Sequence, residues 1–290
     1  GGGSPIDAMK AIGAMLTNEG EIVDYKGVTI PNPPPPLVAI PTTAGTGSEA
    51  TKFTIITDSV NNIKMLLVGP ELIPRVAVID PEFTLSCPPS VTAATGVDAL
   101  THAIEAFTSR KAQPLSDIFA VSAIRRIYHH IQRAYEDGSD VESRKEMSLA
   151  ALEAGIAFSN ASVTIVHGMS RPIGALFHIP HGLSNAILLK ECLDFIKSGA
   201  VEKFAVLAQE LKLADATVDA QTAADVFVDT MTELIGKLHI QTLEEYGVDR
   251  EEFHSYLDKM ATDAIASGSP GNTQRVPTKE EIIEIYRRLW

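Results

Sequence analysis

Pro88-Pro89 divides the chain into two stretches of different character, and no fold built from one kind of element accommodates both. Before the pair, short apolar runs alternate with turns. Leu37-Val38-Ala39-Ile40 and Val76-Ala77-Val78-Ile79 have the length and branching of buried strands. Residues 53–57 and 63–68 flank the turn-rich Asp58-Ser59-Val60-Asn61-Asn62, which predicts a hairpin. Asn32 to Pro36 is a proline run expected to be extended and solvated. After the pair, residues 114–135, 140–159, 200–212 and 216–238 carry helical spacing. Thr278 and Glu281 then form a capping box before a last helix that runs to Trp290. The pattern predicts an α/β part over residues 1–87 followed by an all-helical part over 88–290, with no internal repeat.

The first residues, GGGSPIDAMK, have two readings. Gly/Ser-rich ends are often flexible linkers. Yet Ser4 stands where an N-cap belongs, Pro5 where a first helical turn tolerates a missing N–H, and Asp7 to Ala14 favour helix. A loop that runs into a helix in this way leaves N–H groups free for an anion, and glycine lets a pyrophosphate approach closely. A second loop, Pro41-Thr42-Thr43-Ala44-Gly45-Thr46-Gly47-Ser48-Glu49, follows the 37–40 strand and joins hydroxyls to two glycines. Alone it reads equally as a Thr/Gly surface loop. Two such loops on the strand-to-helix side of one sheet favour the phosphate turn over the linker. A strand should then precede Gly1, so a βαβ unit of roughly 30 residues or more is expected upstream.

The stretch TGVDALTHAIE at 95–105 places Asp98 and His102 four residues apart, on one face of a helix. The stretch VHGMSRPIGALFHIPH at 166–181 supplies His167, His178 and His181 among glycines and prolines that break regular structure. One carboxylate with several imidazoles suits Fe(II) or Zn(II) with positions open for a substrate oxygen. A surface helix pair or a capped core histidine shows the same spacing. Together the motifs set three or four candidate ligands in the helical part against a candidate nucleotide site in the other. The bulk composition narrows the partners. A net charge of -13 without any basic run argues against nucleic acid or an anionic membrane. Cys87 and Cys192 make neither a disulfide framework nor a metal pair, and read as small buried hydrophobes in a reducing compartment.

GGGSPIDAMK, PTTAGTGSEAT, TGVDALTHAIE and VHGMSRPIGALFHIPHGLSNA together resemble the iron-containing (group III) alcohol dehydrogenases, whose fold is shared with glycerol dehydrogenase and dehydroquinate synthase. The likeness runs from Gly1 to the C-terminus. It implies a Rossmann-like nucleotide-binding domain, whose first strands would precede GGGS, and a helical metal-binding domain like that of dehydroquinate synthase. It implies Asp98, His102, His167 and His181 as ligands of Fe(2+), with Zn(2+), Ni(2+) or Mn(2+) as alternatives. It also implies that Gly2, Gly3, Ser4, Asp7, Thr42, Thr43, Thr46, Thr51 and Lys64 line a site for NAD or NADP. Some members carry a further histidine four residues after the third ligand, near the nicotinamide. That position here is Arg171, which leaves His178 as the candidate for catalytic proton transfer. The implied activity is hydride transfer between NAD(P) and a short primary alcohol or diol, in a cytoplasmic homodimer. The alternatives are a truncated, catalytically impaired member and an enzyme closer to dehydroquinate synthase or glycerol dehydrogenase. Phe107, Phe158, Phe177 and Leu176 read either as an apolar substrate pocket or as plain core.

Overall fold

The computed structural model describes residues 1–58 and 63–290. Helix α1 spans Gly3–Met15, and its start differs from expectation. The N-cap is Gly2, in extended backbone and without a side-chain hydrogen bond, so the helix begins before Ser4. The reason is steric. A Cβ on Gly3 would stand 2.8 Å from Thr46 Cγ2, so only glycine lets this turn nest against the second loop. Gly1 clamps the same junction through its backbone: its N–H group donates to Ile40 O at 3.0 Å and its carbonyl accepts from Thr42 N at 3.0 Å.

Strands β1 (Val38–Ala39) and β4 (Val76–Ala77) pair in parallel, and between them β2 (Phe53–Asp58) and β3 (Ile63–Val68) pair antiparallel. A parallel pair cannot be joined by a tight turn, so the intervening hairpin serves as part of the crossover. Both single strands are shorter than the apolar runs that predict them. The hairpin strands match expectation, while the turn residues 59–62 lie outside the described residues. Helix α1 is fastened to β2 by two side chains. Lys10, 0% exposed, donates to Thr51 O, Thr51 Oγ1 and Phe53 O at 2.9, 3.1 and 2.8 Å. Asp7 accepts from Ile55 N at 2.8 Å and from Ser48 Oγ. Burial pushes the Lys10 amine down to about 8, opposed by the charges of Asp7 and Glu49.

From Pro89 onward the chain is helical. Helices α2 (Pro89–Thr108), α3 (Pro114–Glu136) and α4 (Val141–Ala161) pack on one another, and α5 (Ile165–Leu176) and α6 (His181–Gly199) close over α2. Helices α7 (Val201–Glu210) and α8 (Ala220–Lys237) flank them. The short α9 (Leu243–Tyr246) and α10 (Arg250–Ser255), then α11 (Leu257–Ala266) and α12 (Lys279–Arg287), complete the described elements. The expected capping box is present, with Thr278 Oγ1 accepting from Glu281 N and Glu281 accepting from Thr278 N, although α12 ends at Arg287. Among the described residues no single helix is long and apolar enough to cross a membrane. Cys192 is buried as expected. Cys87 is only half-buried, and its thiol donates to Thr42 O at 3.2 Å.

Two features on α4 hold the loops to the helices. Arg144 donates to Gly138 O, Thr92 Oγ1 and Cys87 O, which fixes the entry to α2. Gly155 meets Gly47 backbone to backbone: a Cβ on Gly155 would lie 2.6 Å from Gly47 O, and Gly47 has φ +61. Neither partner of that contact is a flexible side chain that could move aside. The Gly155→Ala variant is therefore expected to lose about 1–3 kcal/mol of stability. Gly236→Ala on the open face of α8 meets nothing within 4 Å and is expected to gain about 0.5–1 kcal/mol. Urea denaturation of the pair checks both signs, and an unchanged midpoint in Gly155→Ala counts against the close contact.

Candidate metal centre

Helix α2 is rich in alanine and other small residues and is buried along almost its whole length. Gly96 lets its neighbours close in, since a Cβ there would come within 3 Å of Ile131 and Met147. Several of its polar side chains therefore end up inside the protein. Asp98 is 1% exposed, and one helical turn later His102 shares its face. Helices α5 and α6 bring His167 and His181 to the same point. His102 Nδ1, His167 Nε2 and His181 Nε2 lie 3.9, 3.7 and 3.8 Å from Asp98 Oδ1, and one donor atom from each of the four residues fits within a span of 4.8 Å. Two donors that share an ion at about 2.0–2.2 Å stand no more than about 4.4 Å apart, and the three separations from Asp98 Oδ1 fall inside that limit. The four residues singled out in the sequence as ligands do come together.

The orphaned atoms of the cluster fit a cation. Asp98 Oδ2 and His102 Nδ1 are buried without a hydrogen-bond partner, an arrangement that costs free energy unless something binds there. Asn185, one turn after His181 on α6, points its amide nitrogen into the centre. Nδ2 lies 2.6 Å from Asp98 Oδ1, 3.0 Å from His167 Nε2 and 3.2 Å from His181 Nε2. An NH2 group has two protons for these three acceptors, so it satisfies them incompletely where a divalent charge would satisfy all. The protonation states also suit coordination. Burial pushes His102 down to about 3 and His181 to about 4, despite the opposing pull of Asp98. Burial alone would raise Asp98, but the three imidazoles and the Asn185 amide outweigh it and hold the carboxyl below its usual range. Near neutral pH, Asp98 is a carboxylate, and His102 and His181 offer free lone pairs.

Glu105 supports the cluster from behind. It is 0% exposed on α2, one further turn from His102. One of its oxygens accepts from Thr164 Oγ1 and Val166 N, both at 2.7 Å, and so caps α5 from another helix. The other lies 2.5 Å from His167 Nδ1. A carboxylate there fixes the proton on Nδ1 and turns the Nε2 lone pair toward Asp98. Neither Glu105 nor Asn185 is picked out by motif spacing. The available signal is positional: Glu105 lies seven residues after Asp98 and Asn185 four after His181, each on a ligand's face.

Phe158 stacks on His102 with centroids 4.2 Å apart, and Phe53 stacks on Phe158 at 5.9 Å. Phe107 instead lies under Lys203, and Phe177 packs against Phe253 and Tyr256, while Leu176 is partly buried against the core. His181 keeps 34% of its side chain exposed, which makes it the open edge of the cluster. His178 sits in the turn before α6 with φ +55, exposed, its carbonyl accepting from Tyr246 OH at 3.1 Å.

The residues expected at the nucleotide site fall into two groups. Gly2, Gly3, Thr42, Thr43 and Thr46 lie where the two loops meet, with Ser4 exposed beside them. Asp7 and Thr51 are instead engaged in tying α1 to β2. The second loop reaches the metal cluster through α2: a Cβ on Gly45 would lie 2.6 Å from Thr95 Cβ, three residues before Asp98. Lys64 on β3 leans over α5, its ammonium 3.3 Å from where a Cβ on Gly174 would be.

The family described as "Iron-containing alcohol dehydrogenase" matches residues 1–81, and the "Fe-containing alcohol dehydrogenase family, C-terminal" matches residues 92–290. The chain is 38% identical over 292 residues to the 1,3-propanediol dehydrogenase of Citrobacter freundii, covering 100% of this chain and 74% of that protein. It is 39% identical over 297 residues to the NADPH-dependent butanol dehydrogenase of Clostridium saccharobutylicum, covering 100% and 75%. Among solved structures, a crystal structure of 1,3-propanediol oxidoreductase superposes with a TM-score of 0.94 at 36% identity, covering 100% of this chain and 75% of that one. Both stretches of the chain thus match the same group of oxidoreductases, which act on alcohols with a metal and a nicotinamide dinucleotide, and the chain belongs to the iron-containing alcohol dehydrogenase family.

Proposed function

We propose that Asp98, His102, His167 and His181 hold a divalent cation, most naturally Fe(2+) with Zn(2+), Ni(2+) or Mn(2+) as substitutes, and that the protein interconverts a short primary alcohol or diol and its aldehyde. The observation that carries the reading is the convergence of one ionised carboxylate and three imidazoles beside the second glycine loop. A divalent cation in such a site supplies a Lewis acid that lowers the pKa of an alcohol hydroxyl. A nicotinamide supplies the hydride acceptor or donor. The propanediol and butanol specificities of the relatives support a small primary alcohol.

Residues 1–87 form the nucleotide-binding part in this reading, and 88–290 the metal and substrate part. Gly2 and Gly3 present an α1 start without a side-chain cap, so the first N–H groups are available to a pyrophosphate. Thr42, Thr43 and Thr46 face them with hydroxyls. Asp7 and Thr51 shape this cradle through α1 and β2, and Lys64 takes the nicotinamide end of either NAD or NADP. Phe158 and Phe53 wall the substrate side and keep water from His102. The exposed edge of His181 is the approach. His178, three residues before it, carries the hydroxyl proton to solvent. The two free thiols and the family's habit support a cytoplasmic homodimer.

Chelation is expected to abolish NAD(P)H-linked turnover while circular dichroism stays near that of the loaded protein, and full turnover in a demonstrably metal-free sample refutes the reading. Glu105→Gln is expected to weaken metal binding by about 10–100-fold, read as competition with a metal indicator. A third expectation concerns pH. The unfolded chain protonates His102 and His181 near 6.5, the folded metal-free protein only near 3 and 4. Between those limits the unfolded state binds more protons, so stability falls as pH drops from 6.5 toward 3 and these two groups add nothing above 6.5. Asp98 acts in the same direction only below about 3.8. Urea midpoints of the chelated protein from pH 7.5 to 4.5 check this, with His102→Gln/His181→Gln expected to flatten the acid-side loss.

A further inference from the structure

Arg171 is the residue of the metal-facing helix that the mechanism above leaves without a task. It follows His167 by one turn on α5, on the same face, with most of its side chain out of water. One turn further along that face, Lys64 reaches across from β3 to Gly174. Among the described residues no carboxylate comes within 4.0 Å of either cation, and no hydrogen-bond partner is recorded for either side chain. Glu105 is near enough for its charge to be felt by Arg171. Its oxygens, however, are already taken by Thr164, Val166 and His167.

A guanidinium held mostly out of water without a counter-ion is costly, and proteins retain one where a ligand supplies the anion. The overall charge sharpens the point. In a chain of net charge -13, acidic partners are abundant, and other cations use them: Arg126 pairs with Glu146 and Glu153, and Lys203 with Asp117. Arg171 does not. A guanidinium also offers a planar fork of donors that matches a carboxylate or sulfonate in two parallel hydrogen bonds, which a histidine at the same position cannot do.

We propose that Arg171 binds an acidic group carried by the substrate, so that the preferred substrate is an alcohol or aldehyde bearing a carboxylate or sulfonate at its far end. The assignment rests on the dehydrogenase reading and narrows it. The reactive oxygen sits at the metal cluster and the acidic end lies one turn along α5.

The test compares butanal with succinate semialdehyde, equal in carbon number and different in terminal charge, in the metal-loaded protein with NAD(P)H. Calorimetric titration of butyrate runs alongside. The wild type is expected to favour succinate semialdehyde in kcat/KM and to bind butyrate. Arg171→Gln is expected to reduce the preference ratio and the butyrate affinity at least tenfold, and Arg171→Lys to recover part of both. Equal kcat/KM for the two aldehydes in the wild type overturns the proposal. So does a loss in Arg171→Gln that appears as a raised KM for NAD(P)H with both aldehydes, since the anion served would then be a cofactor phosphate. If neither aldehyde is reduced while Arg171-dependent butyrate binding persists, the anion site stands and the dehydrogenase reading fails.

Discussion

A carboxylate withdrawn from water in the middle of a helix is the constraint to which the rest of this structure answers. Asp98 has apolar neighbours on α2, and leaving its charge uncompensated would cost several kcal/mol. Compensation must come from other helices, because the turn above on α2 supplies only His102. Helices α5 and α6 therefore have to arrive with His167, His181 and Asn185 facing inward. The placement of α5 is secured by Glu105, which accepts the Val166 N–H of its first turn as well as orienting an imidazole. A single helix thus contributes two of the proposed ligands and the group that aims a third. The packing of the bundle and the geometry of the site are one problem.

The Thr/Gly loop of the α/β part meets that bundle at points with no room for a further methyl group. Gly47 against Gly155 and Gly45 against Thr95 are approaches that a methyl group would block. Such contacts resist adjustment, because backbone has no rotamers with which to yield. The Thr/Gly loop is therefore held at a set distance from Asp98. Small residues in that loop serve proximity between two sites as much as they serve any ligand.

The elements that could be read from the chain are those whose signal is local. The i, i+4 pairing of Asp98 with His102, the apolar strand runs and the Thr278–Glu281 box each lie within a few residues, and each is found in place. Glu105 and Asn185 escaped notice because their meaning depends on the orientation of other helices. A glutamate within a helix is ordinarily solvated, and its burial here follows from the small residues around it. The start of α1 was misplaced for a related reason. Ser4 carries the right side chain for a cap, but the helix is begun by glycines that fit against Thr43 and Thr46, residues some forty positions away. Asp7 shows the same limit, since the bonds it makes to β2 depend on a strand far along the chain.

Lys10 has a consequence of its own. Its amine is sealed between α1 and β2 by three oxygens, so it is shielded from reagents for as long as the helix and the hairpin are docked. An acylating reagent meets it only in molecules whose first helix has swung away from the hairpin. The rate of labelling at this one position then reports how often the first helix and the hairpin come apart, without any probe having to be introduced.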